Sequence, residues 1–94
     1  MANIRNLKKD ISFVTSEIII ECFTYNYLFP DKNHDELAKI ISDSLEMQRE
    51  LLQKINAVRK NKEIPAKKQF KEIRIFFKQK VEEFVKRLNE LSFE

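Results

Sequence analysis

The 94 residues contain no glycine, one cysteine, one histidine and two prolines, and each scarcity narrows the chemistry open to the chain. Without glycine there is no residue that enters left-handed backbone space without steric cost, so phosphate-cradling loops and tight turns pressed against a ligand are not expected. The lone Cys22 rules out an intramolecular disulfide and a cysteine-based zinc site, and suits a reducing compartment. With His34 as its only histidine, the chain lacks the paired Glu-x-x-His segments that helical di-iron proteins set on facing helices. Long apolar runs are missing as well. The richest, Ile18 to Ile20, stops at Glu21, and the first ten residues have no apolar core of the length a signal peptide needs. These absences predict a cytoplasmic protein with no membrane-spanning segment and no cofactor.

What is present is a helical rhythm. Hydrophobic side chains return every three or four positions through three long stretches separated by Pro30 and Pro65. The hydrophobic fraction of 43% supports a core, and the 35% of charged residues, with both signs interspersed, describes a hydrated surface rather than a disordered chain. A chain of this length holds one core, so the expectation is a single domain over 1–94: an all-α, antiparallel up-down-up three-helix bundle with helices at about 3–28, 33–60 and 65–92. Short links between helices of equal length force neighbours to run antiparallel.

In the first stretch Ile4, Leu7, Ile11, Val14, Ile18, Cys22, Tyr25 and Phe29 share one stripe at about 100° per residue, which marks the core face. Phe29 precedes Pro30, whose ring pushes it out of helical space and ends the helix. The second helix has a start signal in Asn33 with Glu36, a pattern like a capping box. Its apolar stripe of Leu37, Ile40, Ile41, Leu45, Met47, Leu51, Leu52, Ile55 and Val58 is wide enough to touch two neighbours. The pattern lapses between Asn56 and Glu63, and Pro65 stands where a first helical residue would be. The third helix carries Phe70, Ile73, Phe77, Val81, Phe84, Leu88 and Leu91 in three-four alternation.

The first helix has more apolar surface than one such core consumes. Phe13, Ile20, Phe23 and Tyr27 cluster opposite the core stripe, and Phe76 of the third helix faces away from its own seam. Exposed together, such side chains form a patch larger than scattered surface apolar residues do. A two-fold dimer is the simplest cover. The competing expectation is that the chain covers this face itself, the first helix being the middle one in space or tilted so that both stripes are buried, with the basic turn or Phe93 folded over it.

Charge is uneven. From Lys54 to Lys80 ten basic residues stand against Glu63 and Glu72, a local balance of +8 that leaves −5 for the rest of a chain whose net charge is +3. Lys67, Lys71, Arg74 and Lys78 follow one another by four, three and four and so share a helix face, with Arg59, Lys60 and Lys62 in the preceding turn. Such a stripe would neutralise the phosphates of RNA or DNA, or meet an acidic protein. Alternatively it is a solvated flank reaching acids of the second helix, with Asp43, Glu46 and Glu50 as candidate partners.

The remaining reactive groups have plainer explanations. His34 is placed in the first turn of the second helix, beside Asp31, Asp35 and Glu36, whose charges suit a helix start. Cys22 lies on the core stripe and is read as a small, inert hydrophobe. Glu17 and Glu21 border the core stripe and read as its rim. The chain is therefore read as a non-enzymatic interaction or scaffolding module joined as a homodimer, the alternative being a nucleic-acid or polyanion binder.

The opening Asn3-Ile4-Arg5-Asn6-Leu7-Lys8-Lys9-Asp10-Ile11 resembles the start of a group of short, uncharacterised bacterial helical proteins. The likeness covers the first dozen residues and continues only as pattern. It implies a bacterial cytoplasmic protein and carries over no functional residue.

Overall fold

The computed structural model of the chain describes residues 4–92. Among them are three helices and no strand: α1 (Ile4–Leu28), α2 (His34–Ala57) and α3 (Ala66–Asn89). They form an up-down-up bundle drawn out to 51 × 19 × 19 Å. α2 is the shared neighbour, pressed closely to α1 and more loosely to α3, while α1 and α3 touch least. The expected start of the first helix at residue 3 and the expected cover by Phe93 both lie outside the described residues.

One continuous core joins the three helices. α1 contributes Leu7, Ile11, Ile18 and Cys22, α2 contributes Leu37, Ile40, Met47, Leu51 and Ile55 with Val58 beyond its end, and α3 contributes Phe70, Ile73, Phe84 and Leu88. Val14, Tyr25, Phe77 and Leu91 pack at its margin, and Val81 is half-buried. Two hydroxyls are buried with the hydrophobes, Thr15 and Ser44. Each returns its proton to a carbonyl of its own helix, Thr15 Oγ1 to Ile11 and Ser44 Oγ to Ile41, both at 2.8 Å. Neither buried hydroxyl is left unsatisfied, and the small volumes of Thr15, Ser44 and Cys22 let α1 and α2 approach closely.

The structure departs from the periodicity in a few places. Leu45, expected inside, is half exposed, and Ser44 occupies the buried position. Position 45 falls beyond the edge of the α2 stripe once that stripe is centred on Ile40 and Leu51. Phe29 lies outside the helix and is 37% exposed rather than in the core. α2 ends at Ala57 rather than near 60, where Lys60 and Asn61 both donate to the Ala57 carbonyl and close a turn anchored by Val58, with Arg59 and Lys60 in solvent. Pro65 caps α3 with extended ψ instead of opening it, and α3 stops at Asn89.

Asn33 does not form the expected capping box. Its backbone is left-handed, with φ 55°, and its side chain makes no cap hydrogen bond. Instead its Nδ2 donates to the Ser92 carbonyl at 2.6 Å, tying the first turn to the end of α3. Asparagine tolerates this backbone region better than other residues with a Cβ, which is how a chain without glycine makes the turn.

Candidate interaction surfaces

The second face of α1 is built by the helix itself. Leu7, Ile11, Ile18 and Cys22 fix which side is buried, so residues half a turn away point outward. Phe13, Ile20, Phe23 and Tyr27 are 65%, 55%, 59% and 85% exposed. Neither α2, α3 nor the basic turn covers them. They follow a seven-residue rhythm, Phe13, Ile20 and Tyr27 with Ser16 and Phe23 between, which is the spacing of a seam for one further helix.

Phe76 does not join this face. It is half-buried against the core, with Lys54 Nζ of α2 lying 3.8 Å from its ring centroid and Lys80 Nζ at 5.5 Å. The ring fills the α2–α3 contact, and two lysines cap its face as cations over the π-system. Its position in the sequence hides this, because the α2 side of α3 is wider than a strict three-four seam.

The basic stripe of α3 is assembled as expected. Lys67, Lys71, Arg74 and Lys78 line an open hollow of about 950 Å³ with Ile75 and Pro65. All its residues belong to α3 or the residue preceding it, so its walls are the aliphatic stems of basic side chains rather than two helices. Arg59 and Lys62 border an adjoining hollow that shares Pro65, and Lys60 is exposed in the same turn, so turn and stripe are contiguous.

The acids of α2 do not serve this stripe. Asp43 accepts from Arg87 Nη1 at 2.9 Å, Glu46 pairs with Arg49 at 3.0 Å and Glu50 approaches Lys54 at 3.9 Å. Among the described residues none of Lys67, Lys71, Arg74 and Lys78 is in an ion pair. Arg87 is the residue the sequence did not reveal: it also reaches Glu36 at 3.5 Å and lies 5.5 Å from the Phe84 ring. It stands among charged neighbours late in the third stretch, with no spacing signal to set it apart.

The reactive side chains take up ordinary positions. His34 is exposed, its Nδ1 3.2 Å from Asn26 Oδ1. Cys22 is fully buried, and burial, helped by the charge of Glu21 and opposed by Arg87, pushes its thiol up to about 11. Tyr25 donates to Glu21 Oε1 at 3.1 Å, and that bond with partial burial raises the phenol above its ordinary range. Among the described residues no group of three or more His, Cys, Asp or Glu side chains is placed to hold a metal ion, and no helix is long and apolar enough to cross a membrane.

No family model matches the chain, and neither the curated proteins nor the solved structures compared with it give a match.

Proposed function

We propose that this chain is a non-enzymatic helical interaction module, acting in the cytoplasm and self-associating through the second face of α1. One observation carries the reading: Phe13, Ile20, Phe23 and Tyr27 stay more than half exposed along one strip of a helix whose other side is committed to the core. Exposed apolar strips of this kind on folded domains mark association surfaces, and the hydrophobic gain from covering them is largest when a matching apolar strip does so. The buried, unpaired thiol of Cys22 suits a reducing compartment.

Sedimentation equilibrium from low to several hundred micromolar tests this. The expected result is a monomer–dimer equilibrium that Phe23→Glu displaces to monomer with the helical circular dichroism unchanged. A monomer throughout, with a variant of identical mass, overturns the reading.

A second reading rests on a separate observation, the absence of ion pairs among the described residues along Lys67, Lys71, Arg74 and Lys78, next to Arg59, Lys60 and Lys62. On it the stripe binds nucleic acid or another polyanion. Retention of a labelled RNA or DNA panel at low ionic strength, falling steeply with added salt, would support this second role. No retention would remove it.

A further inference from the structure

We infer that two copies of this chain pack α1 against α1 antiparallel, about a two-fold axis that meets the outward face of α1 at the level of residue 18, with Phe13 of one copy facing Phe23 of its partner. The inference rests on the self-association proposed above and adds its geometry.

The outward seam of α1 consists of Lys9, Phe13, Ser16, Ile20, Phe23 and Tyr27, alternating by four and three. Antiparallel helices pair the two kinds of seam position with each other, whereas parallel helices pair each with itself. In the antiparallel register all six positions find complementary partners. Phe13 meets Phe23, two rings that can stack offset or edge to face. Ile20 lies over the small Ser16, bulk against a gap. Tyr27 meets Lys9, whose aliphatic stem and ammonium suit an aromatic face. The parallel register instead sets Lys9 against Lys9 and leaves a Ser16 layer underfilled between two bulky ones.

Charge favours the same choice independently. α1 has no acid in its first turn and no base in its last, so neither end of its dipole is compensated by its own side chains. Arg5, Lys8 and Lys9 add positive charge to the end that is already positive. Beyond the other end stand Asp31 and Asp35, with Lys32 offsetting part of their charge. Antiparallel packing lays the positive end of each α1 along the negative end of the other, and the register above brings Arg5 toward Asp31 of the partner copy. Within one chain Arg5 stands at the start of α1 and Asp31 in the turn beyond its end, and the helix between Arg5 and Leu28 alone spans about 35 Å at 1.5 Å per residue. That is far beyond the screening length of ~8 Å at physiological salt, so any coupling between them has to be intermolecular.

Two measurements test the geometry. In the first, a chain carrying Asp10→Cys is mixed with one carrying Thr24→Cys and treated with a short bismaleimide. The antiparallel register sets these exposed positions about 3 Å apart along the axis on one side of the seam, against about 21 Å in a parallel pair. The mixed pair should link efficiently and each variant alone poorly; Cys22, buried, stays unlabelled. In the second, dimer dissociation constants are compared for Arg5→Glu, Asp31→Arg and the double variant. Each single reversal should weaken the dimer about threefold or more, and the double variant should return to within about twofold of the original. A dimer by sedimentation that gives no mixed link, and in which the two reversals act additively, overturns the antiparallel geometry while leaving self-association standing. A monomer at all concentrations removes both.

Discussion

At the scale of single residues, two positions show how a chain poor in special residues makes do. Asn33 carries the one left-handed backbone among the described residues, and its amide is spent on Ser92 rather than on the start of α2. Asn33→Ala should lower stability by about 1–2 kcal/mol, from left-handed strain plus a lost hydrogen bond, whereas Asn33→Gly loses only the bond. Equal losses in urea unfolding would show that the backbone conformation is not what asparagine supplies. Cys22 makes a pH prediction. Its thiol ionises near 9.0 when unfolded and at about 11 in the fold. Between those values unfolded chains lose the proton first, so unfolding becomes easier as pH rises. Below pH 9 the thiol is neutral in both states and contributes no slope. At no more than ~1.4 kcal/mol per pH unit the native chain should lose on the order of 2 kcal/mol more than Cys22→Ala between pH 9 and 11. Parallel alkaline limbs for the two proteins would refute it.

At the scale of helices, α3 is the element held least by close packing, and side-chain links compensate. Arg87 spans Asp43 and Glu36 of α2, while Gln69 Nε2 donates to the carbonyls of Asn61 at 3.0 Å and Ile64 at 2.8 Å, fastening the second turn. Both acids facing Arg87 are partly solvated, which keeps each ion pair near ~0.2–1 kcal/mol, but its stem also covers apolar surface. Arg87→Ala is therefore expected to cost about 1–2 kcal/mol in chemical denaturation, and Arg87→Lys, which keeps the charge but not the fork, less than that. A neutral alanine variant would mean that the apolar seam alone seats α3. These links mark the boundary of what the sequence revealed. Helix number, order and most of the core follow from three-four spacing and two prolines, because burial imposes that period on every helix. Leu45, Phe76 and Arg87 were missed since their environments depend on how far each helix is rotated toward its neighbours, and a 20° difference is invisible in spacing. The α1 strip was legible because Phe13, Ile20, Phe23 and Tyr27 lie opposite a core stripe that rotation of that size cannot bring inside. The acids were misassigned because proximity across helices is set by tertiary packing: Asp43 faces Arg87, not the basic stripe.

At the scale of the whole molecule, a slender bundle with one apolar strip outside should draw part of its stability from association. Any species that binds only the folded chain stabilises it by mass action, and for a dimer that species is the protein itself. Raising protein concentration tenfold should then stabilise the folded dimer by about 1.4 kcal/mol per mole of dimer, seen as a rising midpoint in thermal or urea unfolding. The seam spans little more than two heptads on one helix, toward the small end of the ~1,200–2,000 Å² typical of specific interfaces, so the rise belongs in the micromolar range. Phe23→Glu should make the midpoint independent of concentration. Salt separates this apolar association from the other surface: dimer strength should change by no more than a few fold between about 50 and 200 mM salt, since the middle of the seam is apolar and its few charges, among them Arg5, Lys9, Glu17 and Asp31, are of both signs. Polyanion binding through seven basic side chains would fall by roughly three orders of magnitude or more over the same interval. An unfolding midpoint that ignores concentration in the unmodified protein, at every salt, leaves the exposed strip of α1 with no role in self-association.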